Sequence, residues 1–432
     1  MLFGRSYKSH EVFGISSQVL EPSYVNRGDL DAHITRLLER DTHIALRGES
    51  KCGKSWIRQQ NLPDAITIQC RLKKSVRDLY ADALSQLGLK IVAEQSVETS
   101  FKGTLEATQE IGVKILAKLA AKQTVEGEHN RTTTLIPVGC DLDDLRFVSE
   151  IINASGRRLV IEDFHYLSPE QRTAFAFDMK ALWDYQTFVI VIGIWAENNL
   201  LIHLNPDLSG RIEEVTIHWS SADLQMVLIK GALALNIEFD PQISSRLIAD
   251  AFGTVGILQR LALSLLDEHG ISNTQNRIAF VADQARYEGV AMQYADQLNA
   301  LYQTFATRVT KGIRQRRNST GIYAHMLKVV MSATDQQLTD GFPTDEIFRI
   351  ASAQEARIKK ANLGQILVKI DGIQVDDEGR GLILTFDGNK DEVFVVDKQL
   401  FFYRKYATTQ WPWERIIEQA EASGTGYEPD ES

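Results

Sequence analysis

The sequence predicts an α/β protein. Its first half is a three-layer core on a mostly parallel sheet, and a helical region and a small mixed C-terminal domain follow. Three observations carry this. From Asp41 to about Val215, short apolar runs alternate with helix-favouring stretches, as strands joined by crossover helices do. One strand-to-helix junction, Gly48-Glu49-Ser50-Lys51-Cys52-Gly53-Lys54-Ser55, is framed by glycines and ends in a lysine and a hydroxyl. Beyond Thr307, three short helical stretches precede two apolar strands.

A chain of 432 residues has room for two or three domains. We expect boundaries near 1–220 for the core, with a long insertion at about 90–156, then 221–306 for a helical lid and connector. A C-terminal domain over 307–412 and a helix end with an acidic, disordered tail over 413–432 complete the chain. The composition, 44% apolar and 24% charged, excludes wholesale disorder. A net charge of -10 confines any nucleic-acid contact to a local basic patch. Cys52, Cys70 and Cys140 lie far apart without a CxxC pair, which excludes a disulfide scaffold and a thiolate zinc site. The N-terminus lacks an apolar stretch of signal-peptide type, and the longest apolar run, Phe188 to Trp195, suits a buried strand better than a membrane span. The expectation is a soluble, cytoplasmic protein.

The elements follow in order. His43 to Leu46 is a strand, and a helix starts at Trp56. Ala65 to Cys70 is the second strand and Val76 to Leu87 a helix. The long connection Lys90–Gly156 contains a helix-favouring, partly amphipathic stretch, Leu105 to Lys122, and a polar, loop-like segment, Val125 to Thr134. A strand at Arg158–Ile161 runs into Glu162-Asp163-Phe164-His165, and Phe188 to Ile194 is a further strand. Helices are expected at Ala222–Leu235 and Ile243–Phe252, and a long helical connector at Ile278–Thr307.

The loop at 48–55 matches G-x-x-x-x-G-K-[ST] between a strand and a helix, the setting the motif requires. Its glycines let backbone N–H groups converge on phosphate oxygens, and the helix N-terminus adds its positive dipole end. Lys54 is placed for the β- and γ-phosphates and the Ser55 hydroxyl for Mg²⁺. The nucleotide-binding set is therefore Gly48, Glu49, Ser50, Lys51, Cys52, Gly53, Lys54, Ser55 and Trp56, and the ligand is ATP or GTP with Mg²⁺. Such a loop requires carboxylates at the end of a second strand, for the metal's water shell and for the attacking water. Glu162 takes the metal-side position and Asp163 that of the base; the order of acids also allows the two roles to be exchanged. His165 either packs locally or touches nucleotide.

These motifs resemble those of P-loop ATPases of the AAA+ and STAND groups, in particular the initiator, origin-recognition-like type with a C-terminal winged helix. Tyr24-Val-Asn-Arg27-Gly-Asp-Leu30 resembles the box with which such ATPases begin, and the resemblance implies that Tyr24, Val25 and Arg27 lie against adenine. It also implies a γ-phosphate sensor at the end of the Phe188–Ile194 strand, assigned to Asn198. Arg211, in Asn205-Pro-Asp-Leu-Ser-Gly210-Arg211, resembles an arginine finger serving a neighbouring subunit; an ordinary surface salt bridge is the other reading. Gly253-Thr-Val-Gly256-Ile-Leu-Gln-Arg260 resembles the start of a lid helix with a second sensor arginine. Here Gly256 fills the arginine position and Arg260 follows one turn later, so either Arg260 reaches the nucleotide or this sensor is absent.

Three helices and a hairpin, Gly321–Ser332, Thr344–Ser352, Ala356–Val368, Leu382–Phe386 and Glu392–Val396, form the pattern of a winged helix. Arg314, Arg316 and Arg317 before it, and Arg357, Lys359 and Lys360 on its third helix, are donors suited to DNA. Acids at Asp371, Asp376, Asp377 and Glu378 oppose that reading, and a protein-packing module is the alternative. The functional expectation is an ATPase with slow turnover, acting as an ATP-dependent switch that forms a homo-oligomer and engages DNA or an effector protein. The catalytic residues would be Lys54, Glu162, Asp163 and Arg211. The alternatives are a DNA-binding or regulatory protein that holds ATP as a structural ligand, and a phosphotransferase built on the same loop.

Overall fold

A computed structural model describes residues 5–27, 29–94, 102–126, 142–195, 198–312, 321–376 and 381–423. They form two compact units: Asn26–Gly48 with Lys54–Ile217, and Met1–Val25 with Glu49–Gly53 and His218–Ser432. Each has its own apolar core.

The first unit contains strands β1 (His43–Gly48), β2 (Ile66–Gln69), β3 (Leu89–Glu94), β4 (Lys102–Ala107), β5 (Leu159–Glu162), β6 (Val189–Gly193) and β7 (Ile212–Ile217). Five of them form a parallel sheet in the order β2-β5-β6-β1-β7. All five residues of β6, Val-Ile-Val-Ile-Gly, are buried, as expected of an interior strand covered on both faces. His43 opens β1 fully buried, and its ring is satisfied at both nitrogens: Nε2 donates to the Met179 carbonyl at 2.8 Å, while Nδ1 accepts from the Val189 amide at 2.9 Å.

Helices Val76–Gln86, Leu145–Ser155 and Pro169–Asp184 supply the buried Leu79, Ile151, Phe175 and Met179 of this core. Their starts are written in the sequence. Ser75 and Asp78 form a reciprocal capping box, Asp144 accepts from the amides of Arg146 and Phe147, and Ser168 with Pro169 opens the third.

The predicted helix Leu105–Lys122 is corrected. Lys102–Ala107 pairs antiparallel with Leu89–Glu94, and the helix occupies Glu110–Glu126; ladder pairing overrides the helix preference of Leu105 to Ala107. Of the expected polar loop Val125–Thr134, Val125 and Glu126 close that helix, and the rest lies outside the described residues.

The second unit holds helices Ser221–Leu235, Pro241–Asp250, Val255–Glu268 and Gln284–Lys311, with short parallel strands β8 (Ile237–Phe239) and β9 (Ala279–Val281). Ala279–Val281, expected as the start of the connector helix, is thus a strand. The N-terminal segment packs here. The Phe13 ring sits where any side chain at Gly231 would collide, and the Gly14 amide donates to Gln259 Oε1 at 2.8 Å.

The C-terminal part adds helices Ile322–Ser332, Asp335–Asp340, Thr344–Gln354, Lys360–Leu367 and Ile370–Gln374. Strands β10 (Phe342–Pro343), β11 (Leu384–Asp387) and β12 (Glu392–Val395) form an antiparallel sheet in the order β10-β12-β11. The buried Gln374 side chain joins helix to sheet, accepting from the amides of Ile383 and Leu384 and donating to the Leu384 carbonyl. Helices Gln399–Tyr406 and Pro412–Ser423 follow, so Glu418–Ser423, expected in a disordered tail, is helical.

Buried Asp250 draws these parts together. It accepts from Tyr287 Oη at 2.7 Å and Tyr406 Oη at 2.5 Å and pairs with Lys405 Nζ at 2.6 Å. Among the described residues no helix is long and apolar enough to cross a membrane.

Candidate functional site

The glycine-framed loop leaves the C-terminal end of β1, and Lys54 opens the helix Lys54–Asn61. Its bend depends on two residues in the left-handed region, Lys51 at φ 59° and Gly53 at φ 88°. Glycine adopts this freely; a lysine there is strained and must be held by its surroundings. Lys54 is buried, and its ammonium donates to the Gly48 carbonyl at 2.9 Å. That bond closes the loop on itself and keeps the ammonium inside the bend. Ser55 is exposed at the helix start.

β5 is separated from β1 by β6. Glu162 is the last residue of β5, so the strand runs one residue beyond the expected Ile161. Its buried carboxylate pairs with Arg58 Nε at 3.1 Å, one turn along the helix from Lys54. Asp163 follows in the left-handed region at φ 57° and its carbonyl accepts from the Tyr166 amide at 2.9 Å, which turns the chain into the short helix Phe164–Tyr166. Burial first, and the Glu162 charge second, push the Asp163 carboxyl above its ordinary range, and the Lys54 charge opposes the shift. His165 is driven down to about 4 by burial and then by the charges of Lys54 and Arg172. It is neutral at pH 7, stacks on Tyr166 at 4.3 Å between centroids, and keeps a buried Nδ1 without a hydrogen-bond partner among the described residues.

Asn198 lies beyond β6 and accepts from Arg47, the residue before Gly48. Arg47 also pairs with Glu214 of β7 at 3.1 Å and donates to Thr216 Oγ1 at 2.8 Å. The expected sensor is therefore tied to the root of the loop through an arginine that sequence reasoning did not single out.

Arg211 sits immediately before β7. β1 pairs His43 with Ile212 at this end and Gly48 with Ile217 at the other. At about 3.3 Å per residue the two ends are roughly 17 Å apart, so Arg211 is remote from the start of its own loop. Its guanidinium lies over the Trp183 ring at 5.0 Å and donates to the Asp207 carbonyl.

The turn Glu49–Gly53 belongs to the second unit, and its partners there are specific. The Lys51 carbonyl accepts from the Gly256 amide at 3.2 Å, and the Cys52 carbonyl accepts from Trp219 Nε1 at 2.8 Å. A Cβ at Gly256 would lie 2.6 Å from Lys51 Cβ, so the residue at this position, where the resemblance implied an arginine, is held small by the turn itself. Arg260 donates to Gln297 of the long helix Gln284–Lys311 at 3.1 Å. The Lys51 ammonium is shifted down, chiefly by burial, with Asp397 opposing and Arg260 adding to the shift. In the N-terminal box, the Tyr24 carbonyl accepts from Lys230 Nζ at 2.8 Å, Val25 is part of the second unit's core, and Arg27 is buried in the first unit.

In the C-terminal domain, the helix expected third, at Ala356–Val368, is the fourth, because Asp335–Asp340 intervenes, and begins only at Lys360, so Arg357 and Lys359 precede it and Lys359 is its N-cap. The Glu355 carboxylate accepts from the amide and guanidinium of Arg357, and this geometry keeps both residues out of the helix. Lys360 pairs with Asp345. All three cations are exposed. Arg314, Arg316 and Arg317, with Asp377 and Glu378, lie outside the described residues.

A parallel sheet in this order, with a glycine-framed loop leaving β1 and carboxylates ending β5, defines the core as a P-loop NTPase fold. Among the solved structures to which the chain is similar are the following. The Walker-type ATPase PABY2304 of Pyrococcus abyssi is 14% identical, with 88% of this chain and 96% of that one covered and a TM-score of 0.43. The Orc1 protein of Aeropyrum pernix in complex with DNA is 10% identical, with 93% and 96% covered and a TM-score of 0.40. AMPPCP-bound DnaA from Aquifex aeolicus is 12% identical, with 81% and 89% covered and a TM-score of 0.34. No family model and no curated protein matches the sequence.

Proposed function

We propose that this chain binds ATP with Mg²⁺ and hydrolyses it slowly, as a nucleotide-dependent switch that self-assembles and engages DNA or a partner protein. The observation that carries the reading is the convergence of Lys54, Glu162 and Asp163 at one end of the sheet, where the Lys54 charge acts on Asp163. The donor set fits the ligand. The loop offers backbone N–H groups and an ammonium for phosphates, Ser55 and Glu162 would hold Mg²⁺ together with phosphate oxygens, as suits a cation that keeps few protein ligands, and the orphaned His165 Nδ1 awaits a polar partner. When bound, the metal supplies charge neutralisation at the phosphates.

Asp163, with its raised carboxyl, orients and deprotonates the attacking water, because a carboxylate pushed toward neutral pH is the better general base. Lys54 fixes the phosphates in line. Asn198, positioned by Arg47, reads the terminal phosphate; Tyr24, Val25 and Arg27 line the base, and Arg260 stands at the lid. Since Arg211 is too far from its own loop, its action on a nucleotide is in trans, on a neighbouring subunit. The C-terminal helices and the β10-β12-β11 sheet are read as a winged helix in which Arg357, Lys359 and Lys360 offer the basic donors, to which Arg314, Arg316 and Arg317 are added from the sequence alone.

The Glu162–Arg58 pair and the glycine at 256 support a second reading, in which ATP is a structural ligand with little turnover. The test is ATP turnover by the purified chain, with and without single- and double-stranded DNA, with Lys54→Ala as the blank. Turnover raised by DNA bears the switch out, binding without turnover selects the second reading, and equal binding by Lys54→Ala overturns both.

A further inference from the structure

Glu49 is an acid inside a loop built for anions. Its carboxylate is held by Lys398 Nζ at 2.5 Å from Oε1 and by Thr254 Oγ1 at 3.3 Å from Oε2. Lys398 is the N-cap of the helix Gln399–Tyr406. The next residue, buried Gln399, accepts with its Oε1 from Lys51 Nζ and from Tyr294 Oη, both at 2.8 Å. Its Nε2 donates to Asp397 Oδ1 at 3.1 Å, and Asp397 accepts from Tyr302 Oη at 3.0 Å. Two consecutive residues that follow the C-terminal sheet, Lys398 and Gln399, therefore grip the two charged side chains of the turn, and Asp397 braces Gln399.

The grip has a backbone counterpart. The carbonyls of Lys51 and Cys52 are occupied by Gly256 and Trp219. Across a trans peptide the following N–H points opposite to the carbonyl. Holding these two carbonyls therefore aims the N–H groups of Cys52 and Gly53 away from those partners and fixes the direction in which the two amides point.

We infer that Lys398 is a positioning residue for nucleotide phosphates: it neutralises Glu49 and, with Gln399, holds the turn, so that the loop's affinity for phosphate depends on the docked C-terminal domain. The inference rests on the nucleotide reading above. Without Lys398, one positive charge is lost beside the Glu49 carboxylate, and the net field at the turn becomes more repulsive to a bound polyphosphate.

The test is equilibrium binding of a fluorescent ATP analogue with Mg²⁺ to the full chain, comparing wild type with Lys54→Ala, Lys398→Gln, Glu49→Gln and the 49/398 double variant. Lys398→Gln is expected to weaken binding roughly tenfold, and in the Glu49→Gln background the same change costs about twofold or less. Unchanged affinity in Lys398→Gln, or an equal loss in both backgrounds, overturns the inference while leaving the nucleotide reading intact. No binding by wild type, or full binding by Lys54→Ala, overturns the nucleotide reading itself. Amide exchange at Cys52 and Gly53 without nucleotide provides the second measurement: it quickens in Lys398→Gln, and unaltered exchange counts against the grip.

Discussion

The Gly256 amide donates to the Lys51 carbonyl at 3.2 Å, across a gap too narrow for a side chain at 256. Lys51 pairs with the helix Val255–Glu268 at the cost of a left-handed backbone, and Gly256 is the position that permits it. The turn itself therefore excludes a larger side chain at 256.

Gly256→Ala therefore displaces the turn. Crowding against Cβ and carbonyl oxygen of Lys51 should destabilise the chain by about 1 to 3 kcal/mol and weaken nucleotide binding with it. Thermal unfolding and ATP binding on the same variant check this; an alanine variant with wild-type stability and affinity contradicts it.

Glu162 and Asp163 should separate under substitution. Glu162→Gln leaves the half-buried Arg58 without its carboxylate and should destabilise the chain by about 2 kcal/mol. Asp163→Asn spares that pair, so it should keep stability and ATP binding while turnover falls on the order of a hundredfold. Denaturant unfolding and single-turnover kinetics distinguish the two, and the reverse pattern would exchange their roles.

His43 makes stability depend on pH. Burial holds its ring at about 4, against an ordinary 6.5, so between these values the unfolded chain binds a proton that the folded chain refuses. Stability is complete above about pH 6.5 and is lost as pH falls toward 4, by about 2 kcal/mol at pH 5. His165, also lowered to about 4, adds in the same direction. Urea unfolding at pH 7 and pH 5 measures the slope, which should shrink in His43→Gln; an unchanged slope refutes the assignment.

Arg211→Ala should lower turnover only where subunits meet. Turnover per subunit in the wild type should rise with protein concentration, and the variant should remove that rise while matching wild type when dilute. An equal loss at every concentration would place the arginine's effect within its own subunit, through the Trp183 stack.

Much of the core was legible because its signals are local. Strand, loop and helix around Lys54 follow from residues 43–61, and the Glu162-Asp163 strand end from apolar residues beside two acids. Helix starts at Ser75, Asp144, Ser168 and Ser220 are set by side chains two or three residues from the amides they cap. Arg58 left a faint trace, since its place one turn after Lys54 puts it on the same helix face. The strand at Lys102–Ala107 was missed because its partner, not its composition, makes it a strand.

What the sequence determined by itself was the identity and order of the groups proposed to meet phosphate, because motif, cap and strand are written over a few adjacent residues. Only the tertiary structure decided which groups hold that loop. Lys51 and Gln399 are 348 positions apart in the chain, and no periodicity or spacing marks a pair that forms because folding buries Gln399 and its amide oxygen must then find donors within the protein.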